Sequence, residues 1–432
     1  MADALKTSRK IYDLLISKTT APPPAMRAWT GETWGSPDAA ATMVLNHPGS
    51  LRAALLPPTD LVAGEAYIYD DIDIEGDLVG MMTFASQLDA LRHSRLSVAR
   101  LLRLLRRLPA ENRRKEVTRP GFKGRRHSTE RDDSAVRHHY ETGNEFFEQF
   151  LDPEMVYSCA YYLDPTESLE TAQRRKLDVI CRKLQLEPGQ RLLDVGCGWG
   201  ALVLHAVANY GVTAVGITVS PAQAAEAMRR VTRAGLDDRI TIEVRDYRDV
   251  SGDYDAISSV GMFEHVGREQ LGEYFSKLHD RLVPGGVLLN HGIANRSRPS
   301  RYRLRRSRPT FVNTYVFPDG ELLPIETSIA VAEGAGFETR DVESLRAHYA
   351  LTLRQWVANL EENRKAAVEA ADEKTYRIWR MYMSGSVAAF ELAGISIYQV
   401  LLTKPDRPWS FGRRWALPAD DAGGATSASR DG

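Results

Sequence analysis

The sequence has few cysteines: Cys159, Cys181 and Cys197 are the only three among 432 residues. An odd count with no paired spacing argues against a disulfide framework and against a zinc site, so we predict a reducing cytoplasm and no metal. No run of about 18 apolar residues is present, and the N-terminus lacks the apolar core of a signal peptide. Any contact with a membrane is therefore expected to be peripheral.

Net charge is also nearly absent, at −1, yet the basic residues are unevenly placed. Residues 92–131 hold 14 Lys and Arg against three acids, and residues 296–308 hold seven Arg and no acid. Residues 95–108 interleave leucine with arginine, a composition typical of a helix on an anionic membrane surface. An amphipathic helix packed on its own protein has the same composition, and the sequence leaves both interpretations open.

The chain does have enough apolar sequence for a large core, since 43% of its residues are hydrophobic. This predicts a globular protein with more than one domain. We expect a small α+β domain, accessory or lipid-binding, over 1–90, a mobile basic linker over 91–135, a main domain over 136–404 and a disordered tail over 405–432. Within the first domain, the stretch EAYIYDDIDIEGDL (65–78) looks strand-like.

From residue 136, strand and helix signals alternate, which predicts a doubly wound α/β fold: a parallel sheet with helices on both faces. The predicted strands are 191–195, 213–218, 240–244, 254–260, 287–293 and a last strand at 395–403. A helix over 221–234 begins after Ser220, a typical N-cap, with a proline in its first turn. An insertion, 294–324, follows the fifth strand and carries the second arginine cluster.

The segment LLDVGCGWGALVLH (192–205) combines a buried strand, three glycines and the start of a helix. A strand, a bare turn and a helix N-terminus form a nucleotide or anion pocket. The glycines run G-x-G-x-G, whereas dinucleotide sites use G-x-G-x-x-G, and no Gly-Lys-Ser/Thr follows to bind phosphates. Asp194, just before the first glycine, suits a cationic ligand, and S-adenosylmethionine is one. The same glycines would also serve a plain strand-to-helix crossover.

Ligands of a doubly wound sheet lie at the carboxyl ends of its strands, so these ends should hold the other site residues. They are 194–200, 218–223, Asp246, 261–265 and 291–293. Glu264 is the strongest catalytic candidate, because packing does not explain an acid directly after an apolar strand end. Cys159 is better explained as a small buried residue than as a nucleophile.

Six ordered motifs then identify a family. They are MVYSCAYY (155–162), LLDVGCGWG (192–200), GITVSPAQ (216–223), RDYRDV (245–250), SVGMFEHVG (259–267) and NTYVFPDGELLP (313–324). Together they resemble the cyclopropane fatty acyl phospholipid synthases (mycolic acid cyclopropane synthases), which use S-adenosylmethionine to methylenate a cis double bond of a lipid chain. The resemblance covers 136–404 closely and the N-terminal domain more loosely. It implies a Rossmann-like methyltransferase sheet with helical insertions, acting on unsaturated phospholipid acyl chains.

The resemblance also implies site residues. Together with Asp194, it assigns S-adenosylmethionine to Tyr157, Ser158, Gly196, Gly198, Thr218, Ser220, Gln223, Asp246 and Gly261. Many methyltransferases bind the ribose through an acid after the second strand, and here Gln223 and nearby hydroxyls are expected to substitute. A second implied cofactor is a bicarbonate ion, the base that takes a proton from the new methyl group. Its implied site is the Cys159 backbone, Glu264, His291, the Ile293 backbone and Tyr349.

Other functions stay open at the level of sequence. Methyl transfer to the same alkene, followed by a hydride shift, would give a methylene- or methyl-branched chain. The arginine clusters suggest a nucleic-acid methyltransferase, but its Asn/Asp-Pro-Pro-aromatic and Pro-Cys signatures are missing, so no nucleic-acid partner is expected. Intact glycines and Glu264 argue against a non-catalytic lipid-binding protein. A homodimer is one open alternative, and the predicted location is the inner face of the membrane.

Overall fold

The structure, a computed structural model, describes residues 1–17, 19, 22–88, 94–113, 119, 121, 131, 142–296, 309–318 and 320–405. The predicted tail beyond residue 405 lies outside the described residues. So do most of the predicted linker after Arg113 and the second arginine cluster after Arg296.

The N-terminal segment forms a small mixed sheet with helices around it. Its elements are α1 (Ala2–Ile16), β1 (Ala25–Arg27), β2 (Thr33–Trp34), β3 (Ala41–Leu45), α2 (Ser50–Leu55), α3 (Asp60–Ile68), β4 (Ile72–Gly76), α4 (Leu78–Gln87) and α5 (Arg95–Leu105). The strand order is β2-β1-β3-β4, with β1 and β3 parallel and the other pairs antiparallel.

Two expectations for this segment are corrected. Residues 65–68 were expected to be strand-like but end helix α3, because the Thr59 hydroxyl caps the helix by accepting the Val62 N–H at 3.2 Å. Residues 94–113 were expected to be part of a mobile linker, yet α5 packs on α1 and α2. Its Leu104 and Leu105 are buried, and Arg52 donates to the Leu108 carbonyl at 2.8 Å.

The main sheet has seven strands. They are β5 (Arg191–Val195), β6 (Thr213–Thr218), β7 (Ile240–Val244), β8 (Tyr254–Val260), β9 (Leu282–Asn295), β10 (Glu338–Ser344) and β11 (Ile395–Thr403). Their order is β10-β11-β9-β8-β5-β6-β7, and only β11 runs antiparallel to its neighbours. The doubly wound α/β fold is thereby confirmed, and the order of the strands reverses between β5 and β8, where such sheets bind ligands.

The helices of the main domain cover both faces of this sheet. They are α6 (Asn144–Phe147), α7 (Leu169–Lys183), α8 (Ala201–Tyr210), α9 (Pro221–Ala234), α10 (Leu271–Arg281), α11 (Phe311–Tyr315), α12 (Ile325–Gly334), α13 (Arg346–Glu362), α14 (Arg364–Ala370) and α15 (Glu373–Glu391). Successive strand residues serve opposite faces: Leu192 packs with α7 and α8, whereas Leu193 packs with α10. The sheet is therefore buried on both sides.

The insertion after β9 contacts the N-terminal segment. Its short helix α11 lies against α3, where the Phe311 N–H donates to Asp60 at 3.0 Å and the Tyr315 hydroxyl donates to Glu65 at 3.1 Å. Gly64 makes this approach feasible, since a Cβ there would lie 2.2 Å from the Phe311 ring. These contacts link the insertion after β9 to the N-terminal segment.

Candidate functional site

A cavity opens at the carboxyl ends of β5, β6 and β8. Most of the residues predicted to bind S-adenosylmethionine line it: Tyr157, Ser158, Asp194, Gly196, Gly198, Thr218, Gln223, Asp246 and Gly261. Ser220 does not line the cavity. Its hydroxyl caps α9, accepting the Gln223 N–H at 3.4 Å, and so fixes the turn between β6 and that helix.

The glycine turn gives the cavity its floor. Gly196, Gly198 and Gly200 all have positive φ, at 82°, 54° and 84°, a conformation that glycine adopts without the steric cost of a Cβ. A Cβ at Gly198 would meet no atom within 4 Å and would point into open space. The turn therefore presents bare backbone at Gly198, as close approach of a ligand requires.

A buried acid and a buried base lie in this cavity. Asp194, 3% exposed, accepts a hydrogen bond from the Ser258 hydroxyl at 2.7 Å, and burial raises the pKa of its carboxyl to about 6. Lys176 of α7 donates to the Ser158 hydroxyl at 2.8 Å, and burial lowers the pKa of its ammonium to about 8. The two groups can hold opposite ends of a zwitterionic amino acid.

Lys176 was missed by sequence reasoning, although the signal was present. The buried positions of α7 recur every three or four residues, and Lys176 occupies one of them, between Ala172 and Ile180. A lysine at a core-facing position of an amphipathic helix is rare unless it has a partner. That spacing identifies the residue as a site candidate.

Two further predicted contacts are held by hydrogen bonds inside the protein. The Thr218 hydroxyl donates to the Gln223 side-chain carbonyl at 2.8 Å, which fixes the amide at the cavity wall. Asp246 accepts two hydrogen bonds from the Arg248 guanidinium, at 2.7 and 2.8 Å. The acid that follows β7 is thus oriented by its own arginine.

Glu264 lies directly beside the cavity, between the lining residues Met262 and His265. One carboxyl oxygen, Oε1, accepts the Ile293 backbone N–H at 2.6 Å. The other, Oε2, is buried and has no hydrogen-bond partner within the described part of the chain. Burial raises the pKa of Glu264 to about 7, against the opposing effect of the Ile293 hydrogen bond.

His291 is fully buried on β9, two residues before Ile293 on the same strand. Its Nδ1 lies 3.2 Å from the side-chain nitrogen of Gln399. Its Nε2 is buried and has no hydrogen-bond partner among the residues that the structure describes. Burial lowers the pKa of His291 well below its usual value, and the charges of Lys176 and Lys183 lower it further.

Cys159 and Tyr349, the other two residues predicted for the base site, are connected to strand β9 by contacts with the backbone of Leu345. The Cys159 thiol lies 3.8 Å from the Leu345 carbonyl, which also accepts the Tyr349 N–H. The Leu345 N–H in turn donates to Ile397, the cross-strand partner of Ile293. Burial raises the pKa of the Cys159 thiol, which disfavours the thiolate form that a nucleophile needs.

An aromatic cluster adjoins the cavity at Tyr157 and Trp199. Tyr157, a cavity residue, lies 5.5 Å from Phe147, 5.2 Å from Trp356 and 6.0 Å from Trp379, measured between ring centroids. Trp199 of the glycine turn packs against the same cluster, with its ring 5.1 Å from that of Phe147 and tilted by 55°. The cavity therefore borders a large apolar cluster at Tyr157 and Trp199.

The fold and these motifs match known proteins. A family model for mycolic acid cyclopropane synthetase matches residues 127–400. The chain belongs to this family. It is an S-adenosylmethionine-dependent methyltransferase of the cyclopropane synthase type, as the resemblance of the motifs predicted.

Three relatives show how far the similarity extends. The chain is 36% identical over 397 residues to a probable fatty acid methyltransferase of Pseudomonas putida, covering 90% of this chain and 95% of that one. It is 39% identical over 271 residues to the cyclopropane-fatty-acyl-phospholipid synthase of Escherichia coli K12, covering 62% and 67%. The crystal structure of mycolic acid cyclopropane synthase CmaA1, complexed with SAH and CTAB, has a TM-score of 0.60 and 34% identity, covering 63% and 98%.

Proposed function

We propose that this enzyme transfers a methylene group from S-adenosylmethionine to the cis double bond of an unsaturated phospholipid acyl chain and so forms a cyclopropane ring. The observation that carries the proposal is a pair of buried polar atoms beside the cavity, Glu264 Oε2 and His291 Nε2, that lack partners among the described residues. Buried polar atoms usually have a hydrogen-bond partner, and two unpaired ones of complementary type at the strand ends next to a cavity suit a bound ligand. A methyl transfer that ends with loss of a proton needs a base beside the cavity, near Glu264 and His291.

The cavity residues fit S-adenosylmethionine, which supplies a methyl group on a positively charged sulfur when bound. In the proposed complex Asp194 binds the amino group of the ligand and Lys176 its carboxylate, since both are buried and oppositely charged. Gly198 lets the ligand lie against the turn, and Gln223 and Asp246 take the ribose and adenine side. Each role follows from the type and position of the residue in the cavity.

The base site fits an oxygen anion such as bicarbonate, which supplies a proton acceptor when bound. In the proposed arrangement, His291 Nε2 donates to the anion and Glu264 orients it, with the backbones of Cys159 and Ile293 and the Tyr349 hydroxyl completing the site. The Ile293 N–H already binds Glu264 at 2.6 Å, so it acts on the anion through that carboxylate. Fixed donors stabilise an anion in an apolar site that excludes water.

The aromatic cluster fits the acyl chain. An alkene has no proton to lose before it attacks an electrophile, so the first step needs chiefly alignment and exclusion of water. Tyr157 lies where the cavity meets the cluster, and ring faces stabilise a carbocation on the chain. The rings thus serve binding and charge stabilisation together.

A methyl- or methylene-branched product is the second candidate. The relative that covers 90% of this chain is a probable fatty acid methyltransferase, and its name does not specify a ring. Both products arise from the same cation: direct loss of a proton from the new methyl group closes the ring, whereas a hydride shift along the chain before proton loss gives a branched chain. A base held beside the cavity favours removal of the methyl proton before a hydride shift occurs, which closes the ring.

Product analysis separates the two. Purified protein is incubated with methyl-labelled S-adenosylmethionine and either a monounsaturated phospholipid or the corresponding free fatty acid, and the acyl products are identified by mass spectrometry. We expect a cyclopropane chain from the phospholipid. Branched chains alone would overturn the ring assignment, and reaction with the free acid alone would overturn the phospholipid assignment.

Glu264→Gln tests the base site directly. The substitution keeps the side-chain volume and the Ile293 hydrogen bond but removes the charge, so turnover should fall by roughly 10² to 10⁴ while affinity for S-adenosylmethionine is retained. Because the cation must then lose its charge elsewhere, branched or hydroxylated chains should increase. A wild-type rate and product ratio would contradict the role given to Glu264. Glu273→Gln, at an exposed position of α10, is the matched control.

A further inference from the structure

A row of polar side chains crosses the sheet behind the proposed base site. Glu343 of β10, Gln399 of β11 and His291 of β9 are direct cross-strand partners, Glu343 with Gln399 and Gln399 with His291. Lys183, at the end of α7, lies over the row and is 1% exposed, as is Gln399. A buried polar row of this kind is costly unless its hydrogen bonds are complete.

The hydrogen bonds of this row have one consistent direction. Lys183 Nζ lies 2.8 Å from Gln399 Oε1 and also binds Glu343, with Asp341 at 3.8 Å. An ammonium only donates, so the amide must turn its oxygen to Lys183 and its NH₂ group to the other side. On that side the amide nitrogen lies 3.2 Å from His291 Nδ1, which must therefore accept.

A neutral imidazole that accepts at Nδ1 carries its proton on Nε2. Nε2 of His291 is the buried atom that has no partner within the described part of the chain. The direction of the Lys183–Gln399 hydrogen bond thus determines whether Nε2 of His291 is a hydrogen-bond donor or an acceptor. It offers an N–H donor, whereas the other tautomer would offer a lone pair and repel an anion.

We infer that Lys183 and Gln399 are positioning residues that fix the tautomer of His291, so that its Nε2–H is aimed at an oxygen anion shared with Glu264. This inference rests on the proposed function for the identity of the anion, but the tautomer itself is a property of the protein alone. Neither Lys183 nor Gln399 lines the cavity, so both act through His291.

Nitrogen NMR of histidine reads the tautomer without any turnover. In protein labelled with ¹⁵N-histidine, long-range ¹H–¹⁵N correlations distinguish Nε2–H from Nδ1–H, and His291→Gln identifies the His291 signal among the ten histidines. We expect the Nε2–H form in the wild type. The Nδ1–H form there would overturn the inference, whether or not variants of Lys183 and Gln399 fold.

Gln399→Glu reverses the polarity of the contact at nearly constant shape. A carboxylate only accepts, so the proton should move to Nδ1 or a second proton should bind, and turnover should fall roughly tenfold to a hundredfold, as for other groups that orient a ligand-binding histidine. Gln190→Glu makes the same change outside the row and should leave the His291 signal and turnover unaltered. A folded Gln399→Glu variant with the wild-type tautomer would overturn the inference.

Lys183→Met and added bicarbonate complete the test. Without the ammonium the amide of Gln399 is free to turn over, so His291 should show both tautomers, and a pure Nε2–H signal would contradict the role of Lys183. Bicarbonate should shift the wild-type Nε2 resonance. If it does not, while the tautomer responds to Gln399→Glu as expected, the positioning role stands and the bicarbonate site of the proposed function fails.

Discussion

Burial of the Glu264 carboxyl lowers the stability of the folded protein by an amount that depends on pH. The pKa of its carboxyl rises from 4.5 to about 7 in the folded protein because the charged form is desolvated. Below pH 4.5 both folded and unfolded states are protonated and the effect is absent. As pH rises toward 7 the unfolded state ionises first, so the folded protein loses stability, by about 3 kcal/mol at ~1.36 kcal/mol per pKa unit.

The Glu264→Gln variant should therefore be stabilised relative to the wild type at pH 8 but not at pH 4.5. Urea unfolding at both pH values, in buffers purged of carbon dioxide, gives the two free energies of unfolding. Glu273→Gln, at an exposed position, should keep the wild-type pH dependence. An equal pH dependence in the wild type and the Glu264→Gln variant would show that the carboxyl is not desolvated as the structure indicates.

Gly198 offers a second prediction at the scale of one residue. Valine there would project its side chain into the cavity, so binding of S-adenosylmethionine, measured by calorimetry, should fall at least tenfold. Positive φ also strains any non-glycine residue, and Gly235→Val controls for this. Gly235 has φ 65° against 54° at Gly198 and equally open space, but it ends α9 outside the cavity. If both folded variants bind like the wild type, the turn does not hold the ligand.

The site residues differ in how far the sequence could predict them. Gly196, Gly198 and Asp194 lie within one short motif, and the order of strand ends brings Thr218 and Gly261 to the same cavity. The contact between Lys183 and Gln399 could not be found this way, since the two residues lie 216 positions apart and meet only because the end of α7 lies against β11. The buried position of Lys183 on α7, seven residues after Lys176, indicates a lysine that needs a partner, but nothing in the sequence identifies Gln399 as that partner.

At the scale of whole elements, strong alternation made the central strands predictable, and β5, β6, β7 and β8 have the expected bounds. The edge strand β10 was missed because its sequence, ETRDVES, is mostly polar and half exposed. The strand β9 is longer than its apolar stretch, running from Leu282 through a proline and two glycines that resemble a turn. Leu282 pairs with Tyr254 of β8 and Val287 pairs with Ala256, so residues 283–286 form a bulge between these two pairs, and Gly285 within it has φ 73°.

The contact between α3 and α11 yields a prediction for an element. Gly64→Ala would place a Cβ 2.2 Å from the Phe311 ring and push the insertion away from the N-terminal segment. Overpacking of this kind costs about 1–3 kcal/mol, which a lower midpoint in urea would report. Gly272→Ala, in α10 with open space around it, should be neutral or slightly stabilising.

A double variant separates packing from helix propensity at this contact. Replacing Phe311 by leucine removes part of the ring that the new methyl group would meet, so Phe311→Leu should recover much of the stability that Gly64→Ala loses. Purely additive effects of the two substitutions would contradict direct contact between α3 and α11.

At the scale of the whole molecule, the N-terminal segment and the last helices share one core. Ile11, Trp34 and Tyr67 pack in the same hydrophobic cluster as Trp356 and Trp379. Arg380 of α15, 8% exposed, donates to the Tyr67 hydroxyl at 3.0 Å and to the carbonyls of Ile74 and Gly76 at 3.1 and 3.0 Å. The division into domains at 90 and 135 stays a prediction, and the shared core predicts that the two parts unfold together.

The two basic segments, α5 and residues 298–308, bear on how the protein meets a membrane. Within the described residues no helix is both long and apolar enough to cross a membrane. Leu104 and Leu105 of helix α5 are buried inside the protein, but Leu96 is 85% exposed on the same helix as the exposed Arg100 and Arg103. Packing of α5 on its own protein therefore accounts for only part of its amphipathic sequence. We propose that this surface and the arginines of 298–308, outside the described residues, bind anionic lipid at the inner face of the membrane.

The proposal predicts co-sedimentation with vesicles that contain anionic phospholipid, weakened by salt, because each arginine near such a surface adds about 1 kcal/mol of screened attraction. Reversing three charges, Arg303→Glu, Arg305→Glu and Arg306→Glu, should lower binding by an order of magnitude or more. The matched control reverses three exposed charges elsewhere: Arg229→Glu, Arg233→Glu and Lys365→Glu.

Equal loss in both triple variants would mean that net charge alone attracts the protein, and equal binding to neutral vesicles would remove the electrostatic explanation. Loss confined to the first variant, with turnover on detergent-dispersed lipid unchanged, would place the role of these arginines in reaching the membrane and not in the chemistry at Glu264.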